Sequence, residues 1–347
     1  MFSHLRKPNK DRLLTTLRRG KADAVPNIEL GVDPYIKSTI LGRKWNSIKD
    51  EVEFNSMMGY DYIKLQPIIQ LDTKRRIADS LSKNHTGANV PDRSWSSEQT
   101  GIITTFEDFE RYPWPLKNEI NYSRFKEVRS ILPDGMAVIG QYGDIFTTAW
   151  EMMGFETFAV SIYTEPDLVK AIMEKVGELI ISMFETMADM EWVDVLWYSD
   201  DIAYTEGLML NPEFYREHFF PLLKKIGDMS KRRDVPFIYH SDGDLWSVMD
   251  DIVGAGVSAL HPIEPKGLNI KEFKEKRGHQ LCLCGGIDLD LLARVTPEEI
   301  KTLVRNILAV AAPGGGYCAG SSNSITEYVK VENYLAMLET VIIEGKY

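Results

Sequence analysis

The chain has 347 residues, is 44% hydrophobic and carries a formal net charge of −11, with 51 acidic against 40 basic side chains. That length buries one large core or two small ones, and the acidic balance argues against binding a nucleic-acid phosphate backbone. There is no run of 18 or more apolar residues, so no membrane span is expected, and the polar, basic start MFSHLRKPNKDR lacks the apolar stretch of a signal peptide. Three cysteines, Cys282, Cys284 and Cys318, fit reduced thiols and a cytoplasmic location rather than a disulfide framework. Without repeats, low-complexity tracts or a Gly/Ser/Pro-rich linker, residues 1–347 are expected to form a single domain.

Helical spacing over 9–19 leads into a first predicted strand, Val25–Leu30. Helices at 34–41 and 47–58 precede a second strand, Tyr60–Gln66. Residues 70–104 are irregular, polar and glycine-containing, and read as a hairpin or lid over one end of the fold. Short helices near 106–111 and 122–131 lead to a third strand, Met136–Gln141, followed by helices at 146–163 and 166–188. The second of these opens with the start signal Thr164-Glu165-Pro166-Asp167. The fourth strand is Val193–Ser199, and Asn211-Pro212-Glu213 caps a helix running to about 230. The stretch Val235–Pro265 then holds two strands, 235–239 and 257–260, separated by a helix. Gln280–Gly285 and Gly316–Gly320 complete the set, with a last amphipathic helix at 330–344. Eight β runs alternating with helices over about 320 residues predict an α/β (β/α)8 TIM barrel with an N-terminal helical segment. A doubly wound open sheet is the alternative, but no GxGxxG follows an early strand.

In a barrel the strand C-termini converge on one pocket. The polar residues at those exits are Glu29, Gln66, Gln141, Asp200, Asp201, His240, Asp242, His261, Glu264 and Asn323. His240-x-Asp242 places two side chains on one side of a strand end, with Glu264 available from the next exit. Nitrogen and oxygen ligands of this kind suit zinc or another divalent metal. An equally weighted reading has Asp242 capping the helix that starts near Leu245. His261 reads as a packing or supporting residue. Asp200 and Asp201 are candidates for acid/base work, or else loop carboxylates that accept backbone N–H groups. The cysteines read as packing, although Cys318 could approach a metal on the barrel axis. Trp192, Trp197 and Tyr198 read chiefly as core.

The second half, roughly residues 135–345, resembles the uroporphyrinogen decarboxylase superfamily. The motifs that carry this are Trp197-Tyr198-Ser199-Asp200-Asp201, Asn211-Pro212-Glu213-Phe214-Tyr215-Arg216, His240-Ser241-Asp242-Gly243-Asp244 and His261-Pro262-Ile263-Glu264-Pro265. Gly285-Gly286-Ile287-Asp288, Thr296-Pro297-Glu298-Glu299, Gly314-Gly315-Gly316-Tyr317 and Ser321-Ser322-Asn323-Ser324-Ile325 follow in order. The decarboxylases carry an early arginine-rich motif for substrate carboxylates, whereas this chain has Asn27-Ile28-Glu29-Leu30-Gly31-Val32, with no arginine. The corrinoid-dependent methyltransferase branch holds zinc on His-x-Cys, a later Glu and a late Cys. Here the matching positions are His240, Asp242, Glu264 and the neighbourhood of Asn323. The resemblance therefore implies a metal-assisted methyltransferase, with metal on His240, Asp242 and Glu264 and catalytic roles for Asp200 and Asp201. Glu29, Gln66, Gln141, Tyr198, His261 and Asn323 are its expected contacts to a small-molecule substrate. With no corrinoid-binding motif in the chain, the corrinoid is expected on a separate partner protein. A decarboxylase acting on a tetrapyrrole or smaller acid is the alternative, and the oligomeric state is left open.

Overall fold

The structure is a computed structural model that describes residues 1–71, 73 and 101–347. Most of the expected lid at 70–104 thus lies outside the described residues. Seven strands form one parallel sheet: β1 (Tyr62–Leu65), β2 (Ala137–Gly143), β3 (Val195–Ser199), β6 (Phe237–His240), β7 (Ala259–His261), β8 (Cys282–Ile287) and β9 (Tyr317–Ser321). They lie side by side in chain order and every pairing is parallel. A two-residue-per-strand hairpin, β4 (Ala203–Tyr204) and β5 (Gly207–Leu208), is set apart at the exit of β3. Helices fill most of the crossovers, as parallel pairing demands.

The expected first strand takes a reduced form. Residues 26–28 run alongside β9, with Ile28 N–H donating to the Ala319 carbonyl (2.8 Å) and Ala319 N–H to that of Pro26 (2.9 Å). Pro26 lacks the N–H that a longer ladder would need. On the other side no main-chain ladder reaches β1. The Tyr62 hydroxyl bridges instead, accepting from Glu29 N–H (2.8 Å) and donating to the Glu29 carbonyl (3.2 Å). The architecture is therefore an α/β TIM-like fold of seven sheet strands, with a short eighth segment fastened along one side.

Local chemistry sets the helix ends. Ser47 with Asp50 and Thr296 with Glu299 form reciprocal capping boxes, and Pro166 and Pro297 sit in first turns where no N–H is required. Along the strands, side chains alternate between the helix layer and the barrel interior. Tyr198 and Tyr239 stack outward beneath Phe219, whereas Trp197, His240 and His261 face inward. At the opposite end from the strand exits, buried Asp61 accepts from Arg12 (2.7 Å) and Arg6 (3.3 Å), tying the N-terminal segment under β1. Within the described residues, no helix is long and apolar enough to cross a membrane.

Candidate active site

The exits of β3, β6 and β7 bring the predicted residues together. His240 ends β6, and its Nε2 lies 3.6 Å from Asp201 Oδ1 and 3.9 Å from Asp242 Oδ1. One ligand atom from each of Asp201, His240 and Asp242 falls within a mutual 4.8 Å. The loop is shaped to hold this: Asp242 N–H donates to Asp201 Oδ1 (2.8 Å), and Asn323 Nδ2 donates to Asp242 Oδ2 (2.5 Å). Asp242 Oδ1 is buried and has no hydrogen-bond donor. Burial, then the neighbouring charges of Asp201 and Glu264, push the Asp242 carboxyl up to about 8. No lysine or arginine among the described residues forms an ion pair with Asp201, Asp242 or Glu264, so the site offers oxygen donors that no cationic side chain occupies. That donor set fits a divalent metal.

Behind His240 stands His261, fully buried, with the two Nδ1 atoms 2.8 Å apart. Burial lowers His240 to about 4 and His261 well below its ordinary value, so both rings are neutral at physiological pH. In a neutral pair one Nδ1 must donate to the other. With the proton on His240, its Nε2 lone pair points to Asp201 and Asp242.

The other expected residues take different places. Asp200 is buried and turned toward the helix Ile145–Met153, accepting from Phe146 N–H (2.7 Å), Thr147 N–H (3.0 Å), Thr147 Oγ1 (2.8 Å) and Tyr198 OH (2.6 Å). Four donors leave it an anchor for that helix rather than a group facing the pocket. Tyr198 goes with it: its hydroxyl binds Asp200 and the Ile145 N–H, in the layer outside the sheet. Neither residue joins the cluster. Glu264 lies beside the cluster but outside the 4.8 Å group, its Oε2 accepting from Gly243 N–H (2.7 Å). Asp242 does not cap the following turn: Leu245 stands at its N-cap without a side-chain bond, and Trp246 N–H donates to Asp244 Oδ1 (2.9 Å).

Gln66 donates to Gln141 (2.5 Å), and Gln141 to Ser199 Oγ (2.9 Å). Glu29 is buried, its carboxylate taking the main-chain N–H and the hydroxyl of Ser321. Burial pushes it up to about 8. Two cavities flank these residues. One, of about 740 Å³, opens above Asp201, Asp242 and Glu264 beneath the β4–β5 hairpin. The other, of about 230 Å³, lies between residues 29–32 and β1. Its wall contains Lys64 and Arg124, neither anticipated from sequence. The signal for Lys64 was present: it alternates with Tyr62 and Gln66 along β1 and so shares their inward face. A second cluster, Cys282, Cys284 and Cys318, is fully buried with its sulfurs within 4.8 Å of one another, a further possible metal site.

Comparison with known proteins agrees with this architecture. The profile of the family "Uroporphyrinogen decarboxylase (URO-D)" matches residues 98–342. The chain is 27% identical over 229 residues to a uroporphyrinogen decarboxylase of Neisseria gonorrhoeae (strain NCCP11945), covering 62% of this chain and 61% of that protein. It is 26% identical over 260 residues to one from Pseudomonas fluorescens (strain SBW25), covering 69% of each. The match thus spans less than two thirds of the length of the Neisseria relative. Among solved structures, a methyltransferase from Methanosarcina mazei superposes with a TM-score of 0.66 at 18% identity, over 96% of this chain and 98% of that one, a likeness of fold.

Proposed function

The chain belongs to the uroporphyrinogen decarboxylase family, and on that premise we propose that it is a metal-assisted methyltransferase moving a methyl group between a small methylated substrate, such as a methoxy compound, and a separate corrinoid protein. The observation that carries this reading is the buried, donor-free Asp242 Oδ1 set against neutral His240 and Asp201. His240 Nε2, Asp201 and Asp242 would hold a divalent cation such as zinc, with Glu264 alongside. When bound, such an ion supplies a Lewis acid toward an ether or alcohol oxygen.

The chain's own groups do the rest. With His240 Nδ1 donating to His261, His240 Nε2 is left free as a ligand, and Asn323 orients the Asp242 carboxylate. Asp201, half-exposed toward the larger cavity, would complete the ligand set on the side from which a substrate oxygen approaches. The β4–β5 hairpin bounds that cavity. Oxygen ligands in place of thiolates make the site harder, which suits an oxygen substituent better than a sulfur one.

The test is methyl transfer from a panel of methoxylated compounds to a reduced corrinoid protein, followed by the corrinoid's visible spectrum. Wild-type protein should methylate the corrinoid and His240→Ala should not. Transfer that survives His240→Ala in metal-free protein sinks the mechanism. A second reading, decarboxylation of a tetrapyrrole or smaller acid, is favoured by the names of the curated relatives. Porphyrinogen binding with CO2 release would establish it instead.

A further inference from the structure

The smaller cavity has an unusual charge pattern. It occupies the seam where residues 29–32 face β1 without main-chain pairing, and it holds 230 Å³. Of its cations, Lys37 is neutralised by Glu51, with Nζ 2.6 and 2.8 Å from the two carboxylate oxygens. Lys64 and Arg124 have no hydrogen bond or ion pair with any described residue, and the Glu29 and Glu51 charges act on Lys64 only from a distance. Lys64 is partly buried, and its Nζ sits 4.7 Å from the centroid of the Trp197 ring. Glu29, the other acid on the wall, is taken up by Ser321 rather than by Lys64. A partly buried lysine with no ion-pair partner is a ready contact for an anion. Consistently, burial and then the nearby Lys37 charge lower its ammonium to about 7.

The cavity also adjoins the chemistry. Gln141 lines it, and its amide donates to Ser199, the residue paired with His240 across the β3–β6 ladder. Trp197 packs on Lys64 and also on His261, with ring centroids 5.0 Å apart, and His261 touches His240. A ligand seated on Lys64 therefore lies on the same inward face as the metal-type cluster.

We propose that Lys64 and Arg124 form an anion subsite that receives the carboxylate of the substrate, which is thus a small carboxylic acid bearing its methyl group at the end remote from the carboxylate. The orientation of that methyl group rests on the methyltransferase reading; the carboxylate subsite does not. The two cations supply the charge, and the flat Trp197 face bounds the body of an aromatic or other planar acid.

The test is calorimetric titration of the full chain with 4-methoxybenzoate and with its uncharged counterpart 4-methoxybenzamide, in wild type, Lys64→Met, Arg124→Met and His240→Ala. The acid should bind at least roughly tenfold more tightly than the amide, as a buried charge-assisted contact requires. Lys64→Met should abolish that preference, Arg124→Met should reduce it, and His240→Ala should leave it in place. Should Lys64→Met fail to fold, the wild-type comparison and Arg124→Met still decide the matter. Equal binding of acid and amide by wild type, or a preference that survives both cation substitutions, overturns the subsite. If the preference behaves as expected but no compound donates a methyl group, the subsite stands and the methyltransferase reading falls.

Discussion

Asp200 and Asp201 are neighbours in sequence and opposites in role, because one peptide step at the end of β3 turns the first carboxylate toward the helix layer and the second toward the larger cavity. Asp200 is saturated by four donors; Asp201 has one main-chain donor and faces His240. Asp200→Asn would set an NH2 against N–H donors, so it should cost about 2 kcal/mol of stability in urea unfolding. Asp201→Asn should leave the unfolding midpoint close to wild type and act on metal uptake instead. Equal midpoints for Asp200→Asn and wild type would remove the anchoring role. Glu29 gives a pH signature. Its folded-state value is raised to about 8 from an ordinary 4.5, so between those values the folded chain holds a proton that the unfolded chain has lost. Its contribution is fully present below about pH 4.5 and is lost as pH rises through 8. Glu29→Gln keeps an uncharged acceptor for Ser321, so urea titrations at pH 5.5 and pH 8.5 should show a smaller fall in stability than wild type. An unchanged fall would place the proton elsewhere.

At the scale of elements, the seam beside β9 depends on the absence of a side chain at Gly320, where an added Cβ would lie 1.8 Å from the Ile28 carbonyl oxygen. Gly320→Ala must push residues 26–28 off β9, and should lower stability by about 2 kcal/mol while shifting Glu29 away from Ser321. A thermal melt unchanged from wild type would show that the segment is not held there. The seven sheet strands were legible because each is a short apolar run closed by a polar exit, and all seven appear within a few residues of expectation. The segment at 25–30 was legible as β-prone, but its pairing was not, since Pro26 affects one edge only through a partner far away in sequence. Asp242 was open between ligand and cap for a related reason: both roles use one carboxylate at one spacing. Only the fold separates them: Leu245 takes the cap position without a side-chain bond, and Trp246 N–H donates to Asp244 rather than to Asp242.

For the molecule as a whole, the two ends of the sheet divide the work. The Arg6–Asp61–Arg12 group fixes the N-terminal segment below β1, far from the exits. Asp61→Ala would leave buried Arg6 without a carboxylate, Arg12 keeping Asp23, and should cost about 3 kcal/mol without altering metal binding. The strand exits carry the candidate chemistry, and the α/β alternation made their convergence legible, but the expected ligand set was His240, Asp242 and Glu264, and the fold brings Asp201 from the β3 exit into the group in place of Glu264. Lys64 and Arg124 escaped notice because charge in a sequence does not reveal whether a counter-ion is present; only the fold shows that neither side chain has an ion-pair partner among the described residues. The central claim is a metal centre on His240, Asp201 and Asp242, and zinc titration of chelator-treated protein tests it most directly. Wild type and a Cys282→Ser, Cys284→Ser, Cys318→Ser variant should each take up one equivalent, and His240→Ala and Asp242→Ala should lose it. Absence of stoichiometric binding, or binding that survives in His240→Ala and disappears with the cysteines, would contradict the account.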